Sequence, residues 1–373
     1  MRKIIFALTL IASMTFCRCP VFAQTAEQNT YVQLVQKGVE MMKAGDYQTA
    51  RKSFEQALRY DNSSSDVHLG LGIAYFHLLD DRYAEKELSK AVAINPKASV
   101  AYQYLGELYY RKDDLETAVS YWEKAVALNP SATDLRTRLD RIRREHKAEQ
   151  NFNRDTSSHF LIKYEGREKI EAGRIVSRIL EDAYGEVGRA LSYYPDQEIQ
   201  VLLYSGQQFQ EVTDAPGWSG GVYDGKIRLP IGGIEQETPA LRKLLYHEYT
   251  HAVVRSITPR CPAWLNEGLA QYFEGRQIDG GQRELLRKYA QAGKLPSLTQ
   301  MEGSFMGLAS GQARNAYLFS LSSVIYMIDS FRMYRVKMVL DELARGADTS
   351  NSLSKGILVS YEDFELGWKR SLE

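Results

Sequence analysis

Read for its apolar and polar positions, the chain changes rhythm partway along. From about Tyr31 to Ala132 one arrangement returns every 34 residues: Gly38, Gly72 and Gly106 fall in step, as do Ala50, Ala84 and Ala118, and Ala57, Ala91 and Ala125. Phe54, Leu88 and Trp122 share a position, and Asn95-Pro96 returns as Asn129-Pro130. Each unit predicts two short helices, with small residues where the pair crosses closely and a proline that stops the second. One such unit cannot bury its apolar face alone, so the units must stack. Asp134 to about Gln150 then predicts a capping helix, with Leu135, Leu139 and Ile142 facing inward and its arginines forming a solvated face.

After a polar stretch, Gln150 to Ser158, which reads as a linker, alternation replaces the helical period. His159 to Tyr164 and Ile199 to Tyr204 predict strands on either side of a long amphipathic helix, Lys169 to about Leu191. Gly220 to Ile231 predicts a hairpin turning at Asp224-Gly225. Its second strand, Lys226 to Leu229, is the expected sheet edge, because Pro230 would remove a ladder bond from an interior strand. Helices return with Thr238 as N-cap and Pro239 at the first helical position, followed by Leu241, Leu244, Leu245, Ala252 and Val253 at helical spacing and a stop at Thr258-Pro259. Pro262 begins another. Further helices are expected over Gln282 to Ala292, Asn315 to about Phe331, Val336 to Ala344 and Tyr361 to the end, with a loop-rich stretch, Gly293 to Gly311, able to border a cleft.

The helix from Pro239 carries the chemistry. His247-Glu248-Tyr249-Thr250-His251 has the spacing H-E-x-x-H, which sets two imidazoles one turn apart on one face with a carboxylate beside them. A catalytic zinc usually takes three protein ligands and leaves a fourth position for water. None of the six histidines (His68, His77, His146, His159, His247, His251) follows His251, so the third ligand is sought as a carboxylate on the next helix. Glu267 fits, with Gly268 and Ala270 beside it leaving room for close packing. His159, on a strand far from this pair, reads as structural.

Composition narrows the class. An apolar fraction of 44% with 25% charged residues allows ample core, and 373 residues imply more than one domain. A formal net charge of zero gives no reason to expect nucleic acid or an anionic membrane as partner. Arg2 and Lys3 precede an apolar run from Ile4 to about Phe16, and Val21-Phe22-Ala23 offers small residues for cleavage before Gln24. This reads as a secretory signal peptide, too short for a membrane span, and no later stretch reaches the ~20 apolar residues a span needs. Cleavage near Ala23 leaves Cys261 as the one cysteine, so no intrachain disulfide is expected. The expected division is 1–23 leader, 24–150 repeats with their cap, and 151–373 a second domain, secreted or periplasmic.

The 34-residue units resemble tetratricopeptide repeats, three of them, and that resemblance implies an all-α superhelix whose groove receives a peptide or protein partner. Tyr75, Tyr102, Tyr104, Tyr109 and Tyr110 could line it, although most are expected in the core. HEYTH followed by Trp264-Leu265-Asn266-Glu267-Gly268-Leu269-Ala270 resembles the gluzincin metallopeptidases, most closely the small peptidase-MA-like domains of bacterial secreted proteins. The resemblance implies an α+β zincin-like domain binding Zn2+ through His247, His251 and Glu267, with Glu248 as general base. It also points to Tyr317 as an oxyanion stabiliser, with core packing an equal contender. Only fifteen residues separate His251 from Glu267, so the connection must be shorter than in the large gluzincins. A G-x-M-E-N-like element for gripping a free amino terminus is absent, which favours endopeptidase over aminopeptidase action. The alternatives are a secreted adaptor with a weak or vestigial zincin domain, against which the intact Glu248 argues, and a zinc hydrolase acting on a non-peptide amide.

Overall fold

The computed structural model describes residues 26–166, 170–213, 220–230, 234–305 and 307–373; the expected signal peptide, 1–23, lies outside the described residues. The chain forms two compact units that part between Lys147 and Ala148.

The first unit is helical: α1 (Ala26–Ala44), α2 (Tyr47–Ala57), α3 (Ser65–His77), α4 (Asp81–Ile94), α5 (Ser99–Arg111), α6 (Leu115–Leu128) and α7 (Thr133–Glu149), whose last two residues, Ala148 and Glu149, belong to the second unit. Helix starts are set locally. The side chains of Asp46, Ser64, Asp80 and Asp114 each accept a hydrogen bond from the backbone N–H three residues on, satisfying a donor that the first turn leaves unpaired. The glycines and large apolar residues that keep step in the sequence meet in space. A methyl group at Gly38 would lie 2.7 Å from the Phe54 ring, one at Gly72 2.6 Å from Leu88, and one at Gly106 2.6 Å from Trp122. The 34-residue period therefore records one helix-crossing contact made three times. Leu135, Leu139 and Ile142 of α7 are buried against α5 and α6 residues, as their spacing predicts. Of the five tyrosines, Tyr110 is buried, while Tyr75, Tyr102, Tyr104 and Tyr109 are half-buried.

The second unit begins with β1 (Phe152–Thr156), β2 (Phe160–Glu165), α8 (Ile170–Leu191), β3 (Ile199–Tyr204), α9 (Gly206–Thr213), β4 (Val222–Tyr223) and β5 (Ile227–Pro230). There follow α10 (Pro239–Ile257), α11 (Ala263–Phe273), α12 (Gly280–Gln291), α13 (Ser310–Phe331), α14 (Met333–Ala344), α15 (Thr349–Gly356) and α16 (Tyr361–Arg370). The sheet is mixed, in the order β1-β2-β3-β5-β4. β2, β3 and β5 are parallel, and the two outer strands run antiparallel to their neighbours.

Two expectations are corrected here. The polar stretch expected to be a linker holds β1, an outer strand whose polar residues are compatible with pairing on one side only. The expected edge strand is interior: β5 lies between β3 and β4, and the edge is β4. Pro230 is tolerated because it is the last rung of β5, opposite Tyr204.

One face of the sheet, with Ile162, Tyr164, Val201, Leu203, Ile227 and Leu229, enters the main core with α8 and α10. The other packs Leu202 and Tyr204 against Phe209 and Val212 of α9. Charges buried on that face are matched: Lys163 Nζ donates to Glu149 Oε2 at 2.5 Å, the Tyr204 hydroxyl to Glu149 Oε1 at 2.8 Å, and Arg228 Nη1 to the Tyr204 oxygen at 2.7 Å.

Candidate metal centre

α10 starts as its sequence dictates. The Thr238 hydroxyl accepts from Leu241 N at 3.1 Å, Pro239 occupies the first turn, and the helix stops at Thr258. Tyr249, Val253 and Leu245 point into the core, which leaves His247 and His251 on the opposite side, their rings 4.8 Å apart and nearly perpendicular. α11 follows after a short connection with Pro262 as its N-cap, and brings Glu267 to the two imidazoles. Glu267 Oε2 lies 3.7 Å from His247 Nε2 and 3.6 Å from His251 Nε2.

These three residues form the one cluster of potential metal ligands found among the described residues, their ligand atoms all within 4.8 Å of one another. The donor set fits zinc. Tetrahedral ligands held at zinc distances are separated by about 3.4 Å, close to the spacing of this carboxylate oxygen from both nitrogens. Glu267 Oε2 is buried and has no hydrogen-bond partner among the described residues. An acceptor so placed, aimed at two imidazole nitrogens, is what a cation between them would satisfy.

A fourth residue, which the H-E-x-x-H spacing does not reveal, orients the cluster. His247 Nδ1 donates to Glu274 Oε2 at 2.8 Å, which fixes the tautomer and leaves the Nε2 lone pair directed at the cluster. Burial opposes charge on His247, but the bond to Glu274 and the nearby Glu248 and Glu267 outweigh it and raise the imidazole pKa. The signal for Glu274 was its spacing, seven residues after Glu267 and so on the same face of the helix as it ends.

Glu248 is only 5% exposed, and that burial raises its carboxyl above the usual carboxylate range. The backbone before β4 lies against it: a methyl group at Gly221 would sit 3.0 Å from Glu248 Oε1. Tyr317 is half-buried on α13, edge-on to Phe305. Burial, with Glu267 and Glu248 nearby, raises its phenol pKa, so its hydroxyl keeps its proton and remains a donor. Gly268 brings α13 close to α11, and Gln271 Nε2 ties them by donating to the Tyr317 carbonyl at 2.8 Å. His159 lies outside this cluster, with Nδ1 bonded to Glu181 at 2.6 Å and its ring stacked on Tyr184 at 3.6 Å.

A helical repeat array followed by a small mixed sheet and helices that gather two histidines and a glutamate defines a repeat protein joined to an α+β domain with a candidate metal centre. Residues 186–373, half of the chain, match the Peptidase MA superfamily, and the chain belongs to it. Residues 41–108 and 99–132 match tetratricopeptide repeats. The TPR repeat-containing protein YsoA of Bacillus subtilis (strain 168) is 40% identical over 52 residues, 14% of this chain; the match spans 16% of that relative's length. Among solved structures, the first TPR domain of human RPAP3 is 24% identical, covering 33% of this chain and 97% of that one, at a TM-score of 0.31. The Yersinia enterocolitica type III secretion translocator chaperone SycD is 21% identical, covering 32% and 87%, also at 0.31. No described helix is long and apolar enough to cross a membrane.

Proposed function

We propose that this chain is a secreted zinc-dependent peptidase that cuts internal peptide bonds and uses its repeats to recruit the substrate or a partner protein. The observation that carries the reading is the convergence of His247 Nε2, His251 Nε2 and the unpartnered Glu267 Oε2. These residues would hold the zinc. When bound, the ion supplies Lewis acidity, acidifying water and polarising a carbonyl.

The remaining steps belong to the chain. Glu248 accepts a proton at its carboxylate as water attacks the substrate carbonyl, then delivers it to the departing amide nitrogen. A buried carboxylate with a raised pKa holds a proton more readily once it has accepted one, which suits both tasks. Tyr317 donates a hydrogen bond to the oxygen on which negative charge develops. The tetratricopeptide repeats support recruitment, being protein-interaction modules, and the apolar run after Arg2 and Lys3 supports export.

The test is mass-spectrometric profiling of a complex peptide library incubated with the zinc-loaded protein and with Glu248→Gln. Internal cuts made by the wild type alone support the proposal. No cuts from a folded, zinc-containing preparation contradict it and favour an adaptor role.

A further inference from the structure

The segment through β4 runs alongside α10. A methyl group at Gly220 would touch Leu244 at 3.4 Å, and one at Gly221 would lie 3.0 Å from Glu248 Oε1. Further along both elements, Tyr223 lies within electrostatic reach of Arg255. Residues 220 and 221 thus meet 244 and 248 in the same order, and Tyr223 follows on the side towards Arg255. β4 pairs with β5 on one side, and among the described residues no strand pairs with its other side. An extended peptide added to that open edge would travel the same path along α10.

Arg255 stands on this path. Seven residues after Glu248, it projects within about 20° of the direction that Glu248 takes from the helix. It is exposed, and no hydrogen bond or ion pair engages its guanidinium among the described residues. Arg242, near the other end of the helix, is instead held by Asp182, Glu186 and Glu237. A cation in the last turn also complements the helix dipole. Lysine would serve that purpose equally well, whereas the planar fork of arginine matches a carboxylate with two parallel hydrogen bonds.

We propose that Arg255 is a specificity-determining residue that binds a carboxylate of the substrate peptide, either an Asp or Glu side chain or a free carboxyl terminus. Arg255 lies about 6 Å beyond His251 along the helix axis, and an extended chain advances about 3.3 Å per residue. The carboxylate therefore falls about two residues from the bond that is cut, on one side only. The inference rests on the peptidase reading and names the substrate class for that site.

The experiment profiles cleavage of one peptide library, prepared with free and with amidated carboxyl termini, by the full zinc-loaded protein, Arg255→Lys and Arg255→Glu. The wild type is expected to enrich an acidic residue about tenfold at one fixed position from the cut, or to cut at a fixed distance from free termini only. The two library forms separate these sources. Arg255→Lys keeps a weakened preference. Arg255→Glu loses it and favours Lys or Arg at the same position, through KM rather than kcat and with unchanged zinc content. Cutting without any positional acidic or terminal preference, or an Arg255→Glu profile equal to wild type, overturns the inference. If the wild type cuts nothing, the peptidase reading fails by itself, and the anion site is judged by capture of the same library on immobilised Glu248→Gln and Glu248→Gln/Arg255→Glu proteins. Acidic peptides retained only by the first support it, and equal retention overturns it.

Discussion

Gly268 and Ser320 bring two helix backbones into contact: a methyl group at position 268 would lie 2.5 Å from the Ser320 carbonyl oxygen and 2.4 Å from Val324 Cγ2. Glu267 precedes this glycine on α11, and Tyr317 lies one turn before Ser320 on α13. The contact therefore sets how near the tyrosine comes to the proposed metal ligand. Gly268→Ala has no flexible neighbour to displace, and the overpacking is expected to cost about 1–3 kcal/mol. Urea unfolding of the zinc-free protein checks this; a variant as stable as wild type would mean that the helices separate freely.

Glu274 receives the Nδ1 proton of His247. Glu274→Ala leaves the three ligands in place but frees the ring to turn, and zinc affinity should fall about 10–100-fold. Competition with a chelator measures it, and Glu274→Gln should lose less, because an amide oxygen still accepts the bond. Wild-type affinity in Glu274→Ala would remove the orienting role.

Zinc binding should weaken as pH falls, because the metal and a proton compete for the His247 lone pair. The raised pKa of His247 places the onset above that of an ordinary histidine. Above it the site is ready for metal; below it each unit of pH costs about tenfold in affinity for every proton displaced. A chelator titration from pH 8 to pH 5 reads the slope, and a flat profile would contradict imidazole ligation.

Tyr317→Phe separates the two roles open to this residue. Packing against Phe305 survives the change, so a purely structural tyrosine predicts unaltered turnover. Loss of an oxyanion donor predicts kcat lower by about 10²–10³-fold with zinc retained. Steady-state kinetics alongside metal analysis distinguishes the outcomes.

What could be read from the sequence followed the range of the interactions involved. The limits of α10 depend on Thr238, Pro239 and Thr258, all local, and the sequence places them where they are found. Gly38 with Phe54 and its two repeats could be read because a long-range contact was printed three times in register. β1 was concealed because an outer strand needs few apolar residues, and FNRDT looks like a linker. Pro230 by itself points to an edge position for β5, whereas the strand's true neighbours depend on pairings that no local pattern encodes. α9 and α15 are eight-residue helices with few buried positions, too short for a clear period. At the candidate site, His247, His251 and Glu248 followed from helical spacing and Glu267 from the absence of any later histidine. Glu274 was hidden because a glutamate at a helix end beside Arg276 resembles an ordinary solvated charge.

Metal analysis by mass spectrometry of the purified, zinc-loaded and dialysed chain decides whether His247, His251 and Glu267 together hold one zinc ion. One zinc per chain is expected in the wild type and in Glu248→Gln, falling to near zero in His251→Ala and Glu267→Ala while their folded circular-dichroism spectra persist. Absence of stoichiometric zinc in the wild type, or full zinc in a folded His251→Ala protein, would contradict it.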